Sequence, residues 1–145
     1  MRKQTARPLL AIIGILFCIV SLPAQQAKLR KAALFMEAFR YEEAIAVYDK
    51  IIRKNESDLT ALVGLAEANQ KMDKLTEAAI WYAKALESTD ADPAIYFAYG
   101  QVLFQMGECV AAQSAFQEFL RRKPNDERAN RLQDVCQYYQ ELTTG

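Results

Sequence analysis

Small residues return at a fixed step in this chain, and that step constrains the fold more than any other feature. Ala32, Ala66 and Gly100 form one column; Ala44, Ala78 and Ala112 form a second. Aromatic Tyr48, Tyr82 and Phe116 form a third, and all three columns advance by 34 residues. A period of this length suits one helix–turn–helix unit. Such a unit cannot bury its apolar face alone, so neighbours must stack to make a continuous core.

Within each period the apolar residues follow helical spacing. AKLRKAALFMEAF carries Leu29, Ala32, Ala33, Phe35, Met36 and Phe39, and after a corner at Arg40 the next face holds Tyr41, Ala44, Ile45, Tyr48, Ile51 and Ile52. The second pair runs through Leu62, Leu65 and Ala66, turns at Met72-Asp73-Lys74, and returns with Leu75, Ala78, Tyr82, Ala85 and Leu86. Asp92-Pro93 opens the third pair, an N-cap acceptor followed by a preset φ. That pair uses Tyr96, Tyr99, Gly100 and Leu103, then Ala112, Phe116 and Phe119. Gly107 suits the left-handed residue that ends a helix, and Lys123-Pro124 stops the sixth helix. Asn125 or Asp126 caps a last helix over 127–142, with an expected apolar face of Ala129, Leu132, Val135, Cys136 and Tyr139. Its other face is polar, as a helix closing the end of a stack requires.

These residues resemble the tetratricopeptide repeat family. Its motif places a bulky residue, a Leu-small pair, an aromatic, Ala, a second aromatic, a small residue and Pro at set positions. The third unit supplies Tyr96, Tyr99, Gly100, Leu103, Ala112, Phe116, Phe119 and Pro124. The second supplies Leu62, Leu65, Ala66, Asn69, Ala78, Tyr82, Ala85 and Asp90; the first departs from the motif at Lys28 and Lys31. The expected fold is all-α: an α-solenoid of three repeats (25–58, 59–92, 93–126) and a C-terminal capping helix, within one domain over 25–145. Tyr99-Gly100-Gln101 with Pro124, Arg128 and Cys136 also looks like the N-terminal repeat module of bacterial outer-membrane OmpA-like proteins that continue into a propeller.

The family resemblance implies a concave groove lined by the first helix of each pair, and a protein or peptide partner held there. It places Leu29, Met36, Val63, Glu67, Gln70, Phe97, Gln101 and Phe104 in that groove. An apolar floor with Met and Phe suits an apolar or amphipathic segment. The alternative for Phe97 and Phe104 is that the last helix covers them. Chaperone-binding members clamp a terminal carboxylate with Lys and Asn in the first unit; Leu29 and Ala33 stand at those positions here, so that clamp is absent.

Composition narrows the function further. The chain has no histidine, which removes the commonest general base and metal ligand. It shows no phosphate-cradling glycine loop and no nucleophile motif. Glu42, Glu43 and Asp49 lie among lysines and arginines as solvated charge. No catalytic centre, cofactor, metal or small-molecule substrate is expected, and a small hydrolase or transferase is the distant alternative. Basic and acidic residues number 18 each, and no acid precedes Glu37. Without residues 1–24 the remainder is acidic, which argues against nucleic acid. Cys109 opens the sixth helix and Cys136 lies in the last; adjacent helices would bring them together as a disulfide or as two small buried hydrophobes.

Arg2, Lys3 and Arg7 precede the apolar stretch Leu9–Leu22, which ends at Pro23-Ala24. This is the pattern of a secretory signal peptide over 1–24, cleaved near Ala24. As a helix the apolar stretch would rise only about 21 Å, short of a ~30 Å hydrocarbon core, and a retained membrane anchor is the alternative. Phe17 is too large for the residue before an acylated Cys18. The expected product is an exported interaction module, periplasmic or associated with the outer membrane. The alternative is a component of an envelope or secretion assembly.

Overall fold

The computed structural model describes residues 24–144. The expected signal segment up to Pro23, with Cys18, lies outside the described residues. All regular structure among the described residues is helical: α1 (24–37), α2 (Tyr41–Ile52), α3 (Leu59–Lys71), α4 (Leu75–Ala85), α5 (Pro93–Gln105), α6 (Cys109–Leu120) and α7 (Glu127–Thr144). From α2 onward each helix packs on the next in the chain, and α7 also touches α5. The fold is an α-solenoid of three helix pairs closed by a further helix.

Two kinds of corner set this geometry, and each recurs at the same step as the core columns. Within a pair, Phe39, Asp73 and Gly107 take left-handed φ values of 58°, 60° and 80°. The following amides donate back across the helix end: Arg40 N to Phe35 O, Lys74 N to Asn69 O, and Glu108 N to Leu103 O, at 2.8, 2.9 and 2.9 Å. That is the Schellman closure, which satisfies carbonyls a helix end leaves free. Gly107 takes the left-handed corner as its residue type predicts; a phenylalanine and an aspartate do the same work in the other two pairs.

Between pairs the device is a carboxylate. Asp58 Oδ1 accepts from Ala61 N at 2.9 Å, Asp92 Oδ1 from Ala94 N at 2.7 Å, and Asp126 Oδ1 from Arg128 N and Ala129 N at 3.1 Å. Each caps the next helix. Asp126, not Asn125, is therefore the cap of α7. Gln25 Nε2 also donates to Asp58 Oδ2, tying the start of α1 to the cap of α3.

The small columns sit where helices cross. Ala32, Ala44, Ala66, Ala78 and Ala112 are wholly buried. The buried residues fall into two groups. The larger runs from Ala32 through Tyr48, Leu65 and Tyr82 to Val102. The smaller joins Leu103, Ala112, Ala115, Phe116 and Cys136 beneath α7.

On α7 the structure departs from the expected apolar face. Ala129 and Cys136 are buried and Leu132 is half-buried, but Val135 is 39% and Tyr139 55% exposed. A helix packed on one side only can bury a narrow strip. Val135 and Tyr139 lie outside that strip.

Candidate functional site

Eight side chains carry the expected groove, and the structure places all of them on the first helices of the pairs. Leu29 and Met36 are on α1; Val63, Glu67 and Gln70 on α3; Phe97, Gln101 and Phe104 on α5. Their spacing along each helix keeps them on one face, and the 34-residue step aligns Leu29 with Val63 and Phe97, and Met36 with Gln70 and Phe104. Every one but Glu67 is half-buried. Leu29, Met36 and Val63 rest against the larger core, and Phe97 and Phe104 against the smaller.

Glu67 is the electrostatic centre of this face. Its side chain is open to solvent, yet protein surrounds the carboxyl on enough sides that desolvation raises its pKa; Lys71, one turn on, pulls it back. The tyrosines on either side respond. Burial raises the pKa of Tyr48 and of Tyr82, and the nearby Glu67 charge adds to both shifts. Tyr82 Oη donates to Gln70 Oε1 at 3.2 Å. The middle of the face is thus a carboxylate between two phenols and an amide, with apolar side chains to each side. Its chemical complement is a cationic group carried on an apolar segment.

Phe97 is drawn partly into packing. Its ring centroid lies 5.9 Å from that of Phe116 and 5.2 Å from that of Phe119, and the Arg128 guanidinium stands 5.0 Å over it. The start of α7 therefore covers part of Phe97. Phe104 instead lines a cleft of about 650 Å³ where the α5–α6 corner meets the end of α7, with Glu108, Cys109, Tyr139 and Thr143. Gln140 Nε2 donates to Gln113 Oε1 at 3.1 Å, holding α7 against α6 beside this cleft.

Cys109 and Cys136 do meet. Both are free thiols; Cys136 is wholly buried and Cys109 packs against the cluster that holds it. Burial, then the neighbouring Cys109, pushes the Cys136 thiol up to about 12. Such a thiol is a poor nucleophile at neutral pH, since the thiolate is the reactive form.

Sequence reasoning missed that α7 continues the series. One more step of 34 from Phe97, Gln101 and Phe104 reaches Arg131, Val135 and Tyr138. On the buried side the register holds as well: Ala61, Ile95 and Ala129 are one buried column, and Ala68, Val102 and Cys136 another. The signal was available at Ala129 and Cys136, but the more prominent small column ends on Asp134.

Comparison with known proteins finds the same fold. Residues 27–94 match the family model described as Tetratricopeptide repeat. The type III secretion chaperone SycD of Yersinia enterocolitica, solved with a peptide of the translocator YopD, superposes with a TM-score of 0.74 at 18% identity, over 81% of this chain and 95% of that one. The second tetratricopeptide domain of human RPAP3, solved with an HSP70 peptide, gives 0.71 at 19% identity, over 79% and 96%. Among curated proteins, human Protein O-mannosyl-transferase TMTC2 is 34% identical over 97 residues, 63% of this chain. The match spans only 11% of TMTC2.

Proposed function

Because the chain is built of tetratricopeptide repeats, we propose that it is a non-enzymatic module that holds a protein or peptide segment along the face shared by α1, α3, α5 and α7. The observation that carries this reading is the row of half-buried apolar residues at matched positions on successive helices, with the exposed Glu67 carboxyl set among them. The segment it suits is apolar with a lysine or arginine set against Glu67. Peptide complexes of the two structural neighbours support the reading without naming the partner. The N-terminal pattern supports export, with a mature chain beginning near Gln25 and an envelope partner. In an oxidising compartment Cys109 and Cys136 would close a disulfide between α6 and α7. Two thiols lose two protons and two electrons to a disulfide-exchange oxidant.

The test is affinity capture from an envelope fraction at matched expression, with wild type and a Glu67→Lys variant whose helicity is unchanged. Wild type should recover a partner at pH 7 that Glu67→Lys loses. Recovery should also fall as the pH drops through the raised Glu67 pKa, because protonation removes the charge. Equal recovery by both proteins, or none by either, overturns the groove reading. Mass analysis of the exported chain tests the address separately: an N-terminus at Met1 would refute cleavage.

A further inference from the structure

The cleft of about 650 Å³ between the α5–α6 corner and the end of α7 borders the one accessible thiol among the described residues. Cys109 is the first residue of α6 and is half-buried. It lines the cleft on one side and packs on the cluster beneath α7 on the other. Cys136 belongs to that cluster and has no exposure at all. A solute in the cleft therefore meets Cys109 and not Cys136.

The cleft has the dimensions of a small-ligand site, which typically spans roughly 300–1,000 Å³. Phe104, Val110 and Tyr139 give it apolar walls. Glu108 is the one charged side chain among the described residues that line it. Its carboxyl does not cap α6, and among the described residues no ion pair holds it. An unpaired carboxylate beside a thiol attracts cations and repels anions.

We propose that this cleft is a thiol-exchange site for a low-molecular-weight disulfide that carries positive charge. Cys109 gives its proton to water, and its sulfur attacks one sulfur of the bound disulfide. The S–S bond of that compound breaks. One half stays on Cys109 as a mixed disulfide, and the other leaves and takes up a proton as a thiol. Cys136 then loses its proton and attacks the Cys109 sulfur, which releases the second half as a thiol. The small disulfide gains two electrons and two protons, and the two cysteines lose them. The Cys136 thiol, pushed up to about 12, is rarely ionised at neutral pH, so the second step trails the first. The bond that closes is the α6–α7 disulfide proposed above; its route and its oxidant are new, and neither depends on the groove.

The test uses the full chain, purified natively and reduced, with the reductant then removed. Cystamine is the cationic disulfide and glutathione disulfide the anionic one. Peptide mass mapping after acid quenching should find one cysteamine on Cys109 of a Cys136→Ala chain, and it should stay there. Wild type should gain the same adduct and lose it as the closed form appears. Cys136 of a Cys109→Ala chain should take no adduct until the chain is unfolded, and a brief iodoacetamide pulse on folded, reduced wild type should mark Cys109 and spare Cys136. Glu108→Gln, or added salt, should narrow the cystamine-to-glutathione rate ratio by about threefold or more. Capture at Cys136 in the folded chain, an adduct that wild type never resolves, or a rate ratio that Glu108→Gln leaves unchanged overturns the proposal. A disulfide that closes in wild type while Cys136→Ala takes no adduct overturns this route and leaves the α6–α7 disulfide standing.

Discussion

Tyr48 and Phe116 occupy one sequence column and each lies on a glycine, but they join different parts of the array. The Tyr48 ring packs where a Cβ on Gly64 would sit, its Cζ overlapping that position, so it locks α2 of the first pair to α3 of the second. The Phe116 ring fills the space over Gly100, within 2.6 Å of an added Cβ, and so locks α6 to α5 inside one pair. Tyr82, between them in the column, has no such glycine and instead bonds Gln70 through its hydroxyl. The same residue class at the same position serves as mortar between units, as filling within a unit, and as a polar strut. The choice follows which neighbouring backbone lacks a side chain at the crossing.

The largest test of this difference is truncation of the two rings. Phe116→Ala should cost about 3–5 kcal/mol, the scale for a wholly buried aromatic, and Tyr48→Ala somewhat less because Tyr48 keeps a little exposure. Against a typical total of ~5–15 kcal/mol either loss is severe. Hydrogen exchange should separate them: Tyr48→Ala should release the amides of α1 and α2 first, and Phe116→Ala those of α5 and α6. Release of the same amides by both would erase the distinction.

Next in size come the glycines. Gly64→Ala and Gly100→Ala should each cost ~1–3 kcal/mol by forcing a ring aside, reduced by the ~1 kcal/mol that alanine gains in a helix. In a Tyr48→Ala background the Gly64→Ala cost should vanish while the Gly100→Ala cost remains. Urea denaturation of the four-member cycles measures both couplings.

Corner residues give a smaller effect of opposite signs. Gly107→Ala should destabilise by ~1 kcal/mol through its left-handed φ alone, since nothing lies within 4 Å of the added Cβ. Phe39→Gly should stabilise by under ~1 kcal/mol, relieving the same strain but adding freedom to the unfolded chain. Phe39 is 78% exposed and its ring contact with Tyr41 is edge-on, so little packing is lost. Thermal melts of the two variants beside wild type read both signs.

The smallest effect is electrostatic and lies at Glu67. Its folded pKa is raised, so the native state holds a proton more tightly than the unfolded chain does. Stability therefore falls as pH rises from the ordinary value of 4.5 through the raised folded value. Glu67→Gln should melt slightly higher than wild type at pH 7, and the difference should vanish below the unfolded pKa. An equal gap at both pH values would show that Glu67 acts through packing.

Much of the array is legible in residue spacing, because helix pairs of fixed length bring equivalent residues back to equivalent crossings. The period, the three pairs, the closing helix and the cap at Asp92 all follow from that spacing. Asp58 and Asp126 belong to the same series and are just as readable, though only Asp92 is announced by a proline. Of the site, the helices bearing the eight residues are readable, but their shared work is not. That Glu67 sits between Tyr48 and Tyr82 joins three helices, and that Arg128 covers Phe97 depends on where α7 lies.

What the sequence by itself determined is the repeat, its length and its all-helical class, since apolar periodicity and small-residue columns act locally along the chain. Only the tertiary structure decided which backbone each aromatic fills, that a phenylalanine and an aspartate adopt the left-handed corner, and that α7 buries one strip and leaves another open. These outcomes depend on the direction from which a second helix arrives. A residue pattern encodes that a face will be covered, whereas the covering helix and its closest point of approach are set by the packing of the whole stack.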